Sequence, residues 1–208
     1  MDINTLLLFA VACLTINLIP GPDVVYIVSN TMKGKMTTGI KAALGLGAGY
    51  FVHTLAACLG LSAIIVSSAL AFTAVKWLGA AYLVYLGVQA LLSAWRGDSS
   101  LQMNQSTESN RNVFMQGVVV SVLNPKVALF FLSFLPQFID ISAGATSTQL
   151  LMLGLIFSAL ATGCNLLYAT LGSWLFSHPN SMRYSRALES VSGVLLIGLA
   201  GKIALSDK

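Results

Sequence analysis

The stretch "NLIPGPDVVYIVSN", residues 17–30, decides how the chain is read. Its surroundings are apolar enough for a membrane helix. Yet it carries Pro20 and Pro22, with Gly21 between them, and a carboxylate, Asp23. Proline inside a helix removes a backbone hydrogen bond and costs ~3 kcal/mol. A charge at mid-membrane adds about 2.5–3.5 kcal/mol on insertion scales. A segment that served only as a lipid anchor would gain nothing from either feature.

Composition fixes the solvent. Of 208 residues, 56% are hydrophobic and only 9% charged, against about 25% charged in soluble domains. No Asp, Glu, Lys or Arg occurs in 42–75, 77–95, 112–125, 127–139 or 141–182. A spanning helix needs about 20 mostly apolar residues. These windows predict spans over 4–30, 42–67, 71–95, 113–138, 149–176 and 187–205. The first span does not read as a cleaved signal peptide, because its start holds Asp2 and no Lys or Arg. The fold class is therefore all-α: a polytopic membrane protein with six transmembrane helices. The polar stretch "RGDSSLQMNQSTESNRN", residues 96–112, divides it. Residues 1–96 form one three-helix unit, 97–112 the linker, and 113–208 a second three-helix unit.

Basic residues favour alternate loops. Lys33, Lys35, Lys41, Arg96, Arg111, Arg183 and Arg186 fall on one face; Lys76, Lys202 and Lys208 fall on the other. The positive-inside rule puts the first set in the cytoplasm and both termini outside. The isolated Cys13, Cys58 and Cys164 predict packing roles, not a redox centre.

Three spans per half means that two similar halves must lie upside down to each other. The second half has one counterpart to the opening motif, "SVLNPKVALFFLS", residues 121–133. Aligning Pro22 with Pro125 sets Asp23 against Lys126. A helix-interrupting proline beside a charge thus recurs in the first span of each half. Inverted repeats with broken helices characterise secondary transporters, whose substrate site lies near the midplane where the breaks meet.

The helix breaks are expected at Pro20, Gly21, Pro22 and Pro125. Asp23 and Lys126 are the substrate or coupling candidates, as a ligand pair or as a buried pair that registers the halves. Asn17, Asn124 and Asn165 are further candidates, for capping freed backbone groups or for contacting cargo. His53 shares a helical face with Tyr50 and is either a packing residue or a proton relay. Gly45 and Gly49 form a small-residue face that predicts close helix packing. No metal cluster, P-loop or Ser/His/Asp arrangement is visible, so no cofactor and no enzymatic activity are expected. A passive channel, a structural membrane subunit and, more remotely, a membrane-embedded enzyme are the competing classes.

"PGPD" (20–23), "GIKAALGLGAG" (39–49), "WLGAAYLVYLGVQAL" (77–91) and "NPK" (124–126), in that order along the chain, resemble the lysine-exporter superfamily, in particular its homoserine/threonine efflux branch. The resemblance implies a bacterial inner-membrane exporter of amino acids or related small metabolites, driven by the proton gradient. Its partners would be a small-molecule substrate and the lipid bilayer, with no nucleic acid.

Overall fold

The structure, a computed structural model, describes residues 3–19, 21–61, 69–96, 112–177 and 181–204. Pro20, and the polar linker except Asn112, lie outside the described residues. Those described form helices throughout, with no strand among them.

α1 covers Ile3–Leu18. At 1.5 Å per residue it is about 24 Å long, short of the ~30 Å hydrocarbon core. The chain then bends by 55° and continues as Pro22–Met32. Pro22 sits at the first helical position, and Gly21 before it is extended at φ −144°. A proline is tolerated there because its missing N–H would have no intrahelical partner anyway.

α2 covers Pro22–Ala56, but it is not one rod. The Tyr50 hydroxyl donates to Asp23 Oδ2 over 3.1 Å, whereas 27 residues of straight helix would separate them by about 40 Å. The helix folds back at Lys35, whose φ is +68°. A Cβ on Gly39 would run into the Thr31 side chain, so the arms meet immediately beyond the turn. The predicted spans leave residues 31–41 between them as a loop; in the structure, helix occupies that stretch on both sides of the turn. The second arm ends in a π-helical turn, Ala57–Leu61.

α3 is Ala69–Arg96 and α4 is Val113–Val122. After Asn124, α5 begins at Pro125 and runs to Leu129. This second break bends the chain by 47°. A π-helical turn, Phe130–Phe134, and a 3-10 turn, Leu135–Phe138, follow. α6 covers Thr146–Ser177 and α7 covers Ser181–Ala204.

Among the described residues, two helices are long and apolar enough to cross a membrane, Lys35–Gly60 and Thr146–Leu171. Counting each bent pair as one span brings the number to four. The second arm of α2 packs against α4 and α6, and α3 packs against α7. Bare glycine surfaces let the backbones touch. A Cβ on Gly117 would stand 2.8 Å from the Ala42 carbonyl oxygen. Gly45 lies against the Phe114 carbonyl and Gly49 against Ser121, the close packing expected of that small-residue face. Gly87 and Gly193 meet across α3 and α7 in the same way. Large apolar side chains such as Leu7, Phe51, Leu78 and Leu167 point outward, as a lipid-facing surface requires.

Candidate functional site

The two breaks lie side by side. Each begins a new helix with the same three-part pattern: a capping residue, a proline and a charge. In the first these are Gly21, Pro22 and Asp23; in the second, Asn124, Pro125 and Lys126.

Asn124 links the breaks. Its side-chain oxygen caps α5 by accepting the Lys126 backbone N–H at 3.0 Å, the usual role of an asparagine at that position. Its amide nitrogen donates to Asp23 Oδ1. Tyr50 donates to the other carboxylate oxygen, and Asn165 Nδ2 donates to Tyr50 Oη at 2.9 Å. Tyr50 and Asn124 thus each donate to one oxygen of the Asp23 carboxyl group, and Asn165 supports Tyr50 from behind. Asp23 is only 2% exposed. It also lies in the first turn of α2, where the helix dipole favours negative charge.

Lys126 crosses to the opposite end of the first break. Its ammonium donates to the carbonyls of Ile16 and Ile19, both at 3.3 Å. Tyr168 Oη donates to the Leu18 carbonyl at 3.1 Å. The last carbonyls of a helix have no intrahelical partner, and in lipid they must be satisfied by protein. A lysine from the second half and a tyrosine from α6 supply the donors. A cation at this C-terminal end also matches the helix dipole. Gly21 lies against this ammonium: a Cβ there would stand 3.1 Å from Lys126 Nζ, so the lysine would have to shift slightly to admit one.

Four of the residues expected from the sequence thus come together: Asp23, Asn124, Lys126 and Asn165, around the breaks made by Gly21, Pro22 and Pro125. Asp23 and Lys126 are neighbours through Asn124, yet among the described residues no ion pair joins them. Asn17 is buried one turn before the first break but donates to the Cys13 carbonyl of its own helix at 2.7 Å. His53 stands apart from the carboxylate. Its Nε2 faces the Ser121 carbonyl at 3.1 Å, and its ring stacks on Phe131. Tyr50 and Tyr168 are the residues that sequence reasoning did not assign. Tyr50 is fully buried at the centre of the network.

Tyr50→Phe keeps the ring and removes the hydroxyl that joins Asp23 to Asn165. Two buried polar groups lose a partner, which costs ~1–3 kcal/mol. A lower melting temperature in detergent is expected. The loss for the Tyr50→Phe, Asn165→Ala double variant should be less than additive, since both changes break one chain of bonds. Full additivity would separate Tyr50 from Asn165.

A family model, LysE type translocator, matches residues 14–207. The chain belongs to the LysE type translocator family. Membership places it among membrane translocators and not among enzymes. Within this range of similarity, an uncharacterized membrane protein of Bacillus subtilis, YrhP, is 32% identical over 198 residues, covering 91% of this chain and 93% of the relative. An uncharacterized membrane protein of Vibrio cholerae is 33% identical, covering 88% and 89%. The leucine efflux protein of Salmonella typhimurium is 27% identical over 198 residues, covering 94% and 92%. No solved structure matches the chain.

Proposed function

We propose that this translocator exports amino acids or closely related zwitterionic metabolites across the bacterial inner membrane, by alternating access coupled to the proton gradient. One observation carries this reading. A carboxylate and an ammonium from opposite halves of the chain are buried at two adjoining helix breaks, each held by neutral donors or acceptors. The likeness to leucine efflux proteins supports an amino-acid cargo.

Six spans in two inverted repeats fit the packing. Gly87 faces Ile197 while Gly193 faces Leu91, and Gly47 faces Thr162 while Gly154 faces Thr54. These pairs are reciprocal and antiparallel. A two-fold axis in the membrane plane generates such pairs, because it sets each helix antiparallel to its counterpart. Completing α3 and α7 as spans then gives three per half.

The chemistry follows from the donors in hand. An ammonium has three N–H groups, and two of those on Lys126 hold carbonyls. The third is left for a cargo carboxylate. Asp23 has further lone pairs for a cargo ammonium. Protonating Asp23 turns one of its oxygens into a donor, which the Tyr50 hydroxyl can accept by rotating its O–H, and removes the negative charge that a cargo ammonium would need. Proton binding and cargo binding thereby compete for the same carboxylate, which is the requirement for exchange.

His53 fits a packing role better than a relay, because its hydrogen bond goes to the Ser121 backbone carbonyl and its ring stacks on Phe131. His53→Gln is expected to keep export within about threefold, a change of under 1 kcal/mol, with an unaltered pH profile in vesicles. A shifted profile would restore the relay. The cargo itself is read by metabolite profiling of cells with and without the protein. An amino acid should fall inside and rise in the medium; unchanged amino-acid pools would remove the proposed cargo class.

A further inference from the structure

An unbroken series of aromatic rings leads away from the carboxylate network. Tyr50 meets Phe157 edge-on, with centroids 5.4 Å apart, and Phe157 lies 4.7 Å from Phe130. Phe130 is 4.8 Å from Phe134, Phe134 is 4.9 Å from Phe138, and Phe138 is 5.0 Å from Phe9. All six are buried. Phe9 lies in the N-terminal half of α1, so the series runs from the breaks toward the side of the bundle away from the Lys35 turn. Rings packed this closely leave no room for a zwitterion between them.

Three of the six rings sit on the irregular stretch that directly follows α5. Phe130 and Phe134 bound the π-helical turn, and Phe138 ends the 3-10 turn. A π turn holds an extra residue, and such turns recur at functional sites. Moving that residue out of the turn rotates everything beyond it by about 100°. Such a step would carry Phe134 and Phe138 off their partners in one movement. The far end of the stretch is clasped. Gln149 accepts the Asp140 N–H at 3.0 Å and donates to the carbonyls of Asp140 and Gly144 at 2.9 and 2.7 Å.

We infer that Phe130, Phe134 and Phe138, closing on Phe9 and Phe157, form the barrier between the transport site and one membrane face, and that this barrier must open in every transport cycle. In the orientation expected from the basic residues it is the exit. The inference rests on the transport reading above. The stretch begins four residues after Lys126, so a cargo carboxylate that draws the ammonium from the Ile16 and Ile19 carbonyls pulls directly on the gate.

The test is a reversible lock. Phe9 and Phe138 are replaced by Cys in a background with Cys13, Cys58 and Cys164 changed to Ala, and the protein is reconstituted in liposomes. Exchange of an equimolar labelled mixture of the twenty amino acids is measured before oxidation, after it, and after reduction. The disulfide-linked fraction should lose at least 90% of exchange, and reduction should restore it. Linked protein that exchanges at the reduced rate overturns the gate and leaves the transporter reading intact. Protein with its native Phe and Cys residues that exchanges nothing overturns both. Phe134→Leu gives an independent reading that needs no cross-link. Downhill leak should rise about tenfold while uphill accumulation falls. Unchanged leak and accumulation would count against the barrier.

Discussion

Asp23→Asn should abolish proton-driven export while leaving a folded protein in the membrane. Asparagine matches the carboxylate in shape. Its oxygen can still accept from Asn124, and its amide can donate to Tyr50 Oη, which also accepts from Asn165. The network survives with one bond reversed, so the stability cost should stay near 1–3 kcal/mol. The charge does not survive. No group remains at the first break to exchange a proton or to hold a cargo ammonium. Charge-assisted hydrogen bonds contribute roughly 1.5–3 kcal/mol each, and each 1.4 kcal/mol is a factor of ten. Export should fall by about 100-fold or more. The check is export rate beside a melting curve of the same preparation. A variant that exports at the parent rate removes Asp23 from the mechanism.

Lys126→Met is expected to damage the fold as well as the function. The ammonium satisfies two carbonyls at the broken end of α1, and methionine would leave both bare. It would also leave Asp23 as a buried anion with no cation near it. Each carbonyl left without a partner costs ~1–3 kcal/mol. Lower yield, a lower melting temperature and no detectable export should appear together. Lys126→Arg retains the charge and should recover much of the stability. The Asp23→Asn, Lys126→Met double variant should lose less stability than the two single losses combined, because neither charge is then stranded. If Lys126→Met melts with the parent, the ammonium does not hold the break.

Much of this arrangement was legible in the sequence, because polarity inside an apolar span is costly and so stands out. Pro22 and Pro125 marked both breaks, and the alignment of Asp23 with Lys126 picked out the charges that lie beside them. Asn124 and Asn165 were legible for the same reason. Less visible was where each charge points. Every residue carries a backbone carbonyl, so nothing in "NLIP" announces that Ile16 and Ile19 would receive Lys126. The sequence left open whether the two charges pair with each other or face a cargo; in the structure each is held by neutral groups. Tyr50 was hidden because tyrosine is commonplace at membrane interfaces, and only the folding back of α2 brings it to Asp23. A reversal between 31 and 41 was expected from the two spans around it; what the sequence hid is how tight it is, with helix on both sides of Lys35. The ring series was unreadable for a different reason. Phenylalanine in a span looks like lipid-facing bulk until helix irregularity turns it inward.

Vesicles loaded with the labelled amino-acid mixture and placed in acid medium that holds the same mixture at higher concentration put the whole scheme at risk in one measurement, with external alkalinisation followed alongside efflux. Parent protein should drive the label out against its own gradient while protons enter, and Asp23→Asn should lose both fluxes together. Efflux that runs only downhill whatever the pH, or an Asp23→Asn protein that still couples the two fluxes, would contradict it.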